Sequence, residues 1–281
     1  MRVICGDALE ILKTLQDESV NCCVTSPPYW GLRDYGVDGQ LGLENTPEGY
    51  VERLVGIFME VRRVLREDGT VWLNLGDSYK EKNLVGIPWR VAFALQADGW
   101  LLRSDIVWSK TCGMPESVRD RPTKSHEHIF LLSKSKSYYY DYEAIQEPVA
   151  DSSLQRYERG RSDDHKWADG GPGNQTCAKT LEHMVGNDKR NKRDVWTISP
   201  KPFKEAHFAV FPPDLIRPCV LAGCPPMGTV LDPFFGAGTT GLVAKQEGRR
   251  YIGIELNPVY AEMARDRILR ECPMERLVVA S

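Results

Sequence analysis

The feature that most constrains the fold is a regular alternation of short apolar strands with helices that carry one apolar face. Residues 19–25 read Ser-Val-Asn-Cys-Cys-Val-Thr, apolar enough for a strand buried on both faces, as strands of parallel sheets are. Thr46 and Pro47 then predict a helix start, with Thr as N-cap and Pro in the first turn. Because strands and helices keep alternating, the sequence predicts an α/β fold with a doubly wound, mostly parallel sheet and right-handed crossovers. The apolar face of this helix comprises Tyr50, Leu54, Phe58, Val61 and Leu65.

Local signals set the bounds of the predicted elements. Asp7 follows a short strand and is predicted to cap the first helix, and Gly69 is predicted to end the long one. The segment Phe211-Pro-Pro-Asp214 is predicted to cap a further helix, and Asn257 a final long one. The other predicted strands are residues 2–5, 70–75, 101–108, 127–132, 229–232 and 250–255, and the other predicted helices are residues 88–96 and 239–246.

Length and composition are those of an ordinary globular protein. The 281 residues suffice for one large α/β domain, or for a core with a small insert. No apolar run approaches the roughly eighteen residues of a membrane span, and we find no signal-peptide pattern. The eight cysteines form no Cys-x-x-Cys pair, which predicts reduced thiols in a cytoplasmic protein. A net charge of −3 leaves nucleic-acid binding open, because binding needs a basic face rather than a basic total.

A glycine-rich turn follows the predicted strand at residues 229–232. Asp232–Gly241 reads Asp-Pro-Phe-Phe-Gly-Ala-Gly-Thr-Thr-Gly, and such glycines let the backbone approach a ligand at a helix N-terminus. The next strand ends in Glu255, about as far on as the ribose-binding acid of a nucleotide-binding fold. The glycine spacing also matches the dinucleotide fingerprint, so a nicotinamide or flavin cofactor is a rival interpretation. The stiff, bulky Pro-Phe-Phe segment between strand and glycines counts against that rival.

A second short motif, Ser26-Pro27-Pro28-Tyr29, follows the apolar strand at residues 19–25. The motif resembles the catalytic motif of enzymes that methylate the exocyclic amines of DNA bases. Such an amine of cytosine or adenine is a poor nucleophile, because its lone pair is delocalised into the ring. The Ser26 hydroxyl and the Pro27 carbonyl are suited to accept both amine hydrogens, which turns the nitrogen lone pair towards a methyl donor. The two prolines fix the backbone and remove N–H donors. Tyr29 offers a ring to stack on a base taken out of its helix. This chemistry needs no metal and no covalent nucleophile.

Together the two motifs resemble those of amino-directed DNA methyltransferases that use S-adenosylmethionine. Their order, with the catalytic motif before the cofactor motif, is similar to the permuted β class. The resemblance implies a Rossmann-like methyltransferase fold and base flipping in double-stranded DNA, with catalysis assigned to Ser26, Pro27, Pro28 and Tyr29. The cofactor contacts that it implies are Asp7, Ala8, Phe211, Pro212, Asp232, Phe234, Gly236, Gly238, Thr239, Glu255 and Asn257.

Within that resemblance, three acids have distinct expected roles. Glu255 is expected to hold the ribose hydroxyls of the cofactor, and Asp7 to meet its adenine amino group. Asp232 is expected to approach the amino acid part, together with the backbone of residues 234–238. If the first and last strands are sheet neighbours, Asp7 and Glu255 both face one crevice at the strand C-termini. For Asp7, a helix cap without a binding role is the alternative.

The composition changes after Val149, where large aliphatic residues become rare and charges frequent. We therefore predict one methyltransferase domain over residues 1–281, with a catalytic half at about 1–150 and a cofactor half at about 195–281. An inserted, loop-rich target-recognition region is predicted at about 151–194, where Arg and Lys suit phosphates and Arg also suits guanine. A solvated surface loop is the alternative there. The predicted DNA contacts are Trp30, Arg156, Arg159, Arg161, Lys189, Arg190, Lys192 and Arg193, and for Trp30 a core position is the alternative.

The choice of base follows the first residue of the catalytic motif. In families that this chain resembles, Ser-Pro-Pro-Tyr goes mostly with cytosine N4, and Asp- or Asn-Pro-Pro-Tyr mostly with adenine N6. Cytosine N4 is therefore favoured. The alternatives are adenine N6, an RNA or protein-amide substrate, and a DNA-binding protein without activity. The resemblance also favours a homodimer, leaves a cognate restriction endonuclease open, and implies no membrane.

Two further chemistries are weighed and set aside. His126 and His128 would share one strand face, but no further residue is spaced to complete a metal site. A C5-cytosine methyltransferase needs a cysteine nucleophile beside the base, and Cys219 falls inside a predicted helix.

Overall fold

The computed structural model places the chain in two compact units. Met1–Asp141 with Asp194–Ser281 forms the first unit, and Tyr142–Arg193 forms the second. The predicted division into a single domain with an insert at about 151–194 stays a prediction. None of the described helices is long and apolar enough to cross a membrane. The structure describes residues 1–112, 116–149, 189–200 and 210–272.

The described strands number twelve, and eight of them form one sheet in the first unit. They are β1 (Arg2–Cys5), β2 (Val20–Thr25), β3 (Leu65–Leu75), β4 (Tyr79–Lys80), β5 (Asn83–Leu84), β6 (Leu101–Ser109), β7 (His126–Ser133), β8 (Glu147–Pro148), β9 (Lys189–Arg190), β10 (Val195–Thr197), β11 (Thr229–Asp232) and β12 (Arg250–Glu255). The large sheet has the order β1-β12-β11-β2-β3-β7-β6-β10. Strand β7 runs antiparallel to both neighbours, and the other adjacent pairs in this sheet are parallel. The predicted α/β fold with a mostly parallel sheet is confirmed.

Side-chain caps open three of the described helices. Asp7 Oδ1 accepts from the backbone N–H of Glu10 at 3.0 Å, and Thr46 and Asn257 cap their helices in the same way. Each cap satisfies a backbone donor that the first helical turn leaves unpaired. All three caps were predicted and are confirmed. The described helices are α1 (Ala8–Lys13), α2 (Pro47–Val64), α3 (Ile87–Ala97), α4 (Pro213–Gly223), α5 (Thr239–Gln246) and α6 (Pro258–Glu271), with a 3-10 turn at Glu143–Ile145.

Two helix boundaries differ from the prediction. Helix α2 ends at Val64 rather than at Gly69, because Leu65 already pairs with Val20 as the first residue of β3. Asp214 does not cap α4. Its N-cap is Pro212, which makes no side-chain cap bond, and Asp214 lies in the exposed first turn, where a negative charge favours the helix dipole.

The strand order brings both sequence motifs to one edge of the sheet. Strands β1, β12, β11, β2 and β3 are parallel neighbours, so their C-terminal ends meet there. Cys5 pairs with Glu255, which confirms that the first and last strands are neighbours. The end of β6 and the start of β7 reach the same edge, since Ser109 pairs with His126 and Leu75 with His128.

Candidate active site

A cavity of about 430 Å³ lies at this edge of the sheet, within the first unit. Pockets of this size hold small molecules and cofactors. Residues from both motifs share its wall, which is what the permuted order of the motifs requires. The predicted site residues that line the cavity are Asp7, Ala8, Ser26, Pro27, Pro28, Tyr29, Phe211, Phe234, Gly236, Thr239, Glu255 and Asn257.

Around Tyr29, the catalytic motif joins a hydrogen-bond network with residues that were not predicted. Asn74 Nδ2 lies 2.7 Å from Tyr29 Oη, 3.0 Å from Glu127 Oε2 and 3.3 Å from Ser26 Oγ. Tyr29 Oη donates to Glu127 Oε2 at 2.6 Å, and Ser26 Oγ donates to Tyr29 Oη at 3.2 Å. Asn74 comes from β3 and Glu127 from β7, so neighbouring strands fix the Tyr29 hydroxyl.

Glu127 also forms an ion pair with Lys110, which follows β6. The Lys110 ammonium lies 4.5 Å from the centroid of the Trp108 ring. Burial acts to raise the pKa of Glu127, but the Lys110 charge and the hydrogen bonds that Glu127 accepts outweigh it, and the pKa lies below its usual value. Burial, and then the charge of Glu127, raise the pKa of Tyr29 well above its usual value. At neutral pH the network therefore contains a carboxylate and a protonated phenol.

Sequence reasoning missed Asn74, Glu127 and Lys110. Asn74 is 3% exposed, and it is the polar member of the apolar run Val-Trp-Leu-Asn-Leu. A lone polar side chain in a buried strand needs partners, and this signal was available. Glu127 lies between two histidines, a pattern that favours a metal-site interpretation.

Gly76 leaves the space that the Tyr29 ring occupies, because it has no side chain. A Cβ atom at this position would lie 2.5 Å from Tyr29 Cε2. We expect Gly76→Ala to displace the ring and to lower kcat roughly 10- to 100-fold, because catalysis is sensitive to misplacement of about 1 Å. Steady-state kinetics checks this. Gly56→Ala is the control, since a Cβ at Gly56 in α2 meets nothing within 4 Å. Equal kcat values for the two variants would contradict the expectation.

Glu255 organises the other end of the cavity. Its carboxylate accepts from the backbone N–H of Gly236 at 2.7 Å and of Asn257 at 2.9 Å. These bonds tie the glycine turn to the start of α6. Burial raises the pKa of Glu255 against those two hydrogen bonds. A carboxylate offers about four lone-pair sites, so both oxygens keep the capacity to accept from a ligand.

Two glycines of this region pack against Phe235 instead of against the cavity. A Cβ atom at Gly241 would lie 2.4 Å from Phe235 Cζ, and one at Gly253 would lie 2.4 Å from Phe235 Cδ2. The ring itself is buried. Gly241, the third glycine of the apparent dinucleotide fingerprint, is therefore required by packing against Phe235.

Four predicted site residues of the first unit do not line the cavity. Gly238 has φ 78° and caps α5, and a Cβ there would lie 2.9 Å from Ala264 Cβ, so turn and packing both require glycine. Pro212 is the buried N-cap of α4. Trp30 is 7% exposed and its Nε1 donates to Glu44 O at 2.9 Å, which places it in the core.

The fourth residue, Asp232, is 1% exposed, and its carboxylate joins three elements instead of facing the cavity. It accepts from Thr25 Oγ1 at 2.6 Å, from Thr240 Oγ1 at 2.7 Å and from the Phe234 N–H at 3.0 Å. The structure thus gives Asp232 the geometry of a support for the glycine turn.

Asp232→Asn is expected to change how stability depends on pH. Burial raises the pKa of Asp232 from 3.8 to about 6, against its three hydrogen bonds. The folded state therefore holds this proton more tightly than the unfolded state, so the stabilisation is full below the unfolded pKa and is lost as pH rises through about 6. Urea unfolding should show the parent chain gaining free energy of unfolding relative to the neutral variant as pH falls from about 8 to about 5. A difference that stays constant with pH would contradict this.

The predicted basic DNA contacts divide into two groups. Arg156, Arg159 and Arg161 lie outside the described residues. Lys189, Arg190, Lys192 and Arg193 belong to the second unit. Within that unit Glu147 Oε1 accepts from Arg190 Nε at 3.0 Å and from Arg193 Nε at 2.7 Å. Two of the basic side chains thus share one carboxylate.

The sequence analysis set aside two chemistries, a metal site and a cysteine nucleophile. No group of three or more His, Cys, Asp or Glu among the described residues is arranged to hold a metal ion. His126 and His128 do share a face, with ring centroids 5.3 Å apart, and His128 Nδ1 lies 2.9 Å from Asp105 Oδ1. Cys219 is fully buried in α4.

A comparison with known protein families matches the family described as DNA methylase, of the N6/N4 type, over residues 20–266. That range contains both motifs and all residues that line the cavity except Gly6, Asp7 and Ala8. The chain belongs to this family. It is a DNA methyltransferase, and the methylase family decides against the nicotinamide or flavin interpretation.

Several relatives of this methylase are known. The Type II methyltransferase M.SmaI of Serratia marcescens is 47% identical over 96% of this chain and 91% of that protein. M.XycI of Xanthomonas campestris pv. cyanopsidis is 48% identical over 94% of this chain and 86% of that protein.

Solved structures confirm the Rossmann-like methyltransferase fold. The PvuII DNA methyltransferase, described as cytosine-N4-specific, superposes with a TM-score of 0.69 at 20% identity, covering 96% of this chain and 90% of that one. TTHA0409 from Thermus thermophilus, solved in complex with S-adenosyl-L-methionine, gives a TM-score of 0.63 at 26% identity, covering 97% of this chain and 96% of that one.

Proposed function

We propose that this methylase transfers a methyl group from S-adenosyl-L-methionine to the exocyclic N4 amine of cytosine, at a specific sequence in double-stranded DNA. The observation that carries the choice of base is Ser26, which places a neutral hydroxyl at the cavity wall where adenine-directed relatives mostly have a carboxylate or an amide. The fold shared with the PvuII enzyme agrees with this choice but does not decide it.

The catalytic end of the cavity acts through positioned acceptors. Ser26 Oγ and the Pro27 carbonyl accept the two hydrogens of the flipped amine. The nitrogen lone pair is then localised and faces the methyl donor. Tyr29, whose hydroxyl is fixed by Glu127, supports the base with its ring. Bound S-adenosyl-L-methionine supplies the electrophilic methyl group. Holding amine and donor in line provides most of the rate enhancement.

The cofactor end suits the adenosyl part of S-adenosyl-L-methionine. Glu255 presents two carboxylate oxygens to vicinal ribose hydroxyls, while its bonds to Gly236 and Asn257 keep it in place. Asp7 uses Oδ1 as a helix cap, and Oδ2 makes no hydrogen bond within the described residues, so it remains for the adenine amino group. The backbone of the glycine turn approaches the amino acid part. Phe211 and Phe234 add apolar wall.

Partners follow from the relatives. M.SmaI and M.XycI are named Type II methyltransferases. On that basis we infer that a cognate restriction endonuclease accompanies this methylase. The resemblance to the β class supports a homodimer, and the basic residues of the region at about 151–194 are proposed to contact the target sequence.

Methyl transfer from labelled S-adenosyl-L-methionine tests the substrate class. Purified protein is incubated with unmethylated duplex DNA, single-stranded DNA, total RNA or a protein extract, and the incorporated label is counted. We expect label in duplex DNA and background elsewhere. Label in RNA or protein alone would overturn the proposed substrate. Binding of S-adenosyl-L-methionine and DNA without transfer would indicate a DNA-binding protein that has lost activity.

A further inference from the structure

The hydrogen bonds around Tyr29 run in one direction, because it is fixed which atoms can donate a hydrogen and which can only accept one. An ionised carboxylate can only accept, and Glu127 Oε2 receives the Tyr29 hydroxyl at 2.6 Å. A phenol has a single hydrogen, so Tyr29 Oη then has only lone pairs for its other neighbours. It accepts from Ser26 Oγ at 3.2 Å and from Asn74 Nδ2 at 2.7 Å. The hydroxyl hydrogens of Ser26 and of Tyr29 therefore both point along this chain towards Glu127.

The same direction leaves an acceptor on the side of the cavity, the hydroxyl oxygen of Ser26. Ser26 donates its one hydrogen to Tyr29 and accepts from Asn74 Nδ2 at 3.3 Å, so one lone pair of its hydroxyl oxygen is available to a substrate N–H. The amide nitrogen of Asn74 faces Tyr29 and Glu127, which turns its carbonyl oxygen away from them. Asn74 Oδ1 is buried and has no hydrogen-bond partner among the residues the structure describes. An unpaired buried carbonyl is costly, and this amide orientation is kept because the nitrogen has acceptors on its own side, in Tyr29 Oη, Glu127 Oε2 and Ser26 Oγ.

We propose that Glu127 is a positioning residue that turns the hydrogens of Ser26, Tyr29 and Asn74 inward, and that the Lys110 ammonium holds Glu127 in its charged form. The site then presents lone pairs alone to the amine that is to be methylated. This inference rests on the proposed role of Ser26 as an acceptor, and it applies to an amine of cytosine or of adenine alike.

Glu127→Gln keeps the shape of the side chain, but it replaces a carboxylate that only accepts with an amide that also donates. The direction of the hydrogen bonds around Tyr29 is then no longer fixed. The amide can donate to Tyr29 Oη, which frees the phenol hydrogen to point at Ser26. The Ser26 hydroxyl hydrogen then turns into the cavity, where it opposes the N–H groups of the substrate. We expect kcat to fall on the order of 100-fold, the size seen when a positioned group in a polar site is lost. The Kd for S-adenosyl-L-methionine should stay within about twofold, because the cofactor contacts are untouched.

Glu247→Gln is the matched control, because Glu247 forms an ion pair with Arg217 outside the cavity. It should keep the parent kcat. A Glu127→Gln variant with the parent kcat would overturn the proposal. Thermal unfolding and the Kd for S-adenosyl-L-methionine identify a variant that fails to fold, and the Lys110 variant below, which retains the carboxylate, then decides.

Lys110→Met tests the charge of Glu127 through the pH profile of kcat. The groups that face Glu127 are Lys110 after β6, Asn74 from β3, Tyr29 from the turn after β2, and Lys124 and His126 from its own side. Burial lowers the pKa of Lys124 and of His126. Loss of Lys110 removes the main influence that holds the pKa of Glu127 down, so the acid limb of the profile should move to higher pH.

The shift should persist in a His126→Gln background, because Glu127 rather than His126 is its origin. An acid limb that does not move would overturn the proposal, since a merely structural ion pair has no reason to shift it. Failure of the proposed base is a separate outcome. If the product is N6-methyladenine and the effects of Glu127→Gln and Lys110→Met remain, the base assignment falls and the role of Glu127 stands.

Discussion

Replacing Ser26 with alanine is expected to lower kcat roughly 100- to 1,000-fold, as loss of a donor or acceptor aimed at a transition state does. The variant loses one of the two acceptors that hold the amine, and Tyr29 loses the hydrogen bond from Ser26 Oγ. The Kd for S-adenosyl-L-methionine should stay within about twofold, because the Ser26 side chain is assigned to the base. Single-turnover kinetics and calorimetric titration separate the two effects.

Ser104→Ala is the control for this substitution, because Ser104 lies in β6 and does not line the cavity. It should keep the parent kcat and cofactor affinity. An equal loss of kcat and of cofactor binding in Ser26→Ala would contradict the assigned role, because it would make Ser26 a general support of the site.

Replacing Glu255 with alanine is expected to weaken binding of S-adenosyl-L-methionine by about 2–3 kcal/mol, or roughly 30- to 150-fold, the usual worth of hydrogen bonds to a charged group. The variant removes the acceptor proposed for the ribose hydroxyls and leaves the N–H groups of Gly236 and Asn257 without their partner. The glycine turn then also loses its link to α6. At saturating cofactor, kcat should recover towards the parent value, which distinguishes this variant from Ser26→Ala.

Glu262→Ala is the matched control, because Glu262 is an exposed residue of the same helix α6. Its cofactor affinity should equal that of the parent chain. An unchanged Kd in Glu255→Ala, measured by titration calorimetry on protein shown to be folded, would place the ribose elsewhere in the cavity.

Most of the fold is predictable from local sequence because its signals are local. Strand β12 and helix α5 have the predicted bounds, and Asp7, Thr46 and Asn257 cap the predicted helices. The direction of a strand, in contrast, has no local signal. Strand β7 reads as an apolar run like the others, yet it is antiparallel to both neighbours. Direction depends on how the connection crosses the sheet, which no single segment encodes.

For the candidate site too, local sequence predicts only what is contiguous in the chain. Motifs contiguous in sequence were found, whereas Asn74, Lys110 and Glu127 meet only because β3, β6 and β7 end or begin at one edge. Sequence also names residues without giving the direction of their side chains. Asp232 and Trp30 lie in or beside the motifs, but their side chains point into the core. A polar residue inside a buried strand was the one sign of the missing network.

The measurement that tests the central claim most directly is nucleoside mass spectrometry on DNA from a methylation-deficient bacterial host that expresses this chain. The Ser26→Ala variant, expressed to the same level, serves as the negative control. We predict N4-methylcytosine in the DNA of the first culture and none in that of the second. N6-methyladenine would keep the mechanism and contradict the choice of base. If neither methylated nucleoside is found, although the protein is folded and binds S-adenosyl-L-methionine, that result would contradict methylation of DNA by this chain.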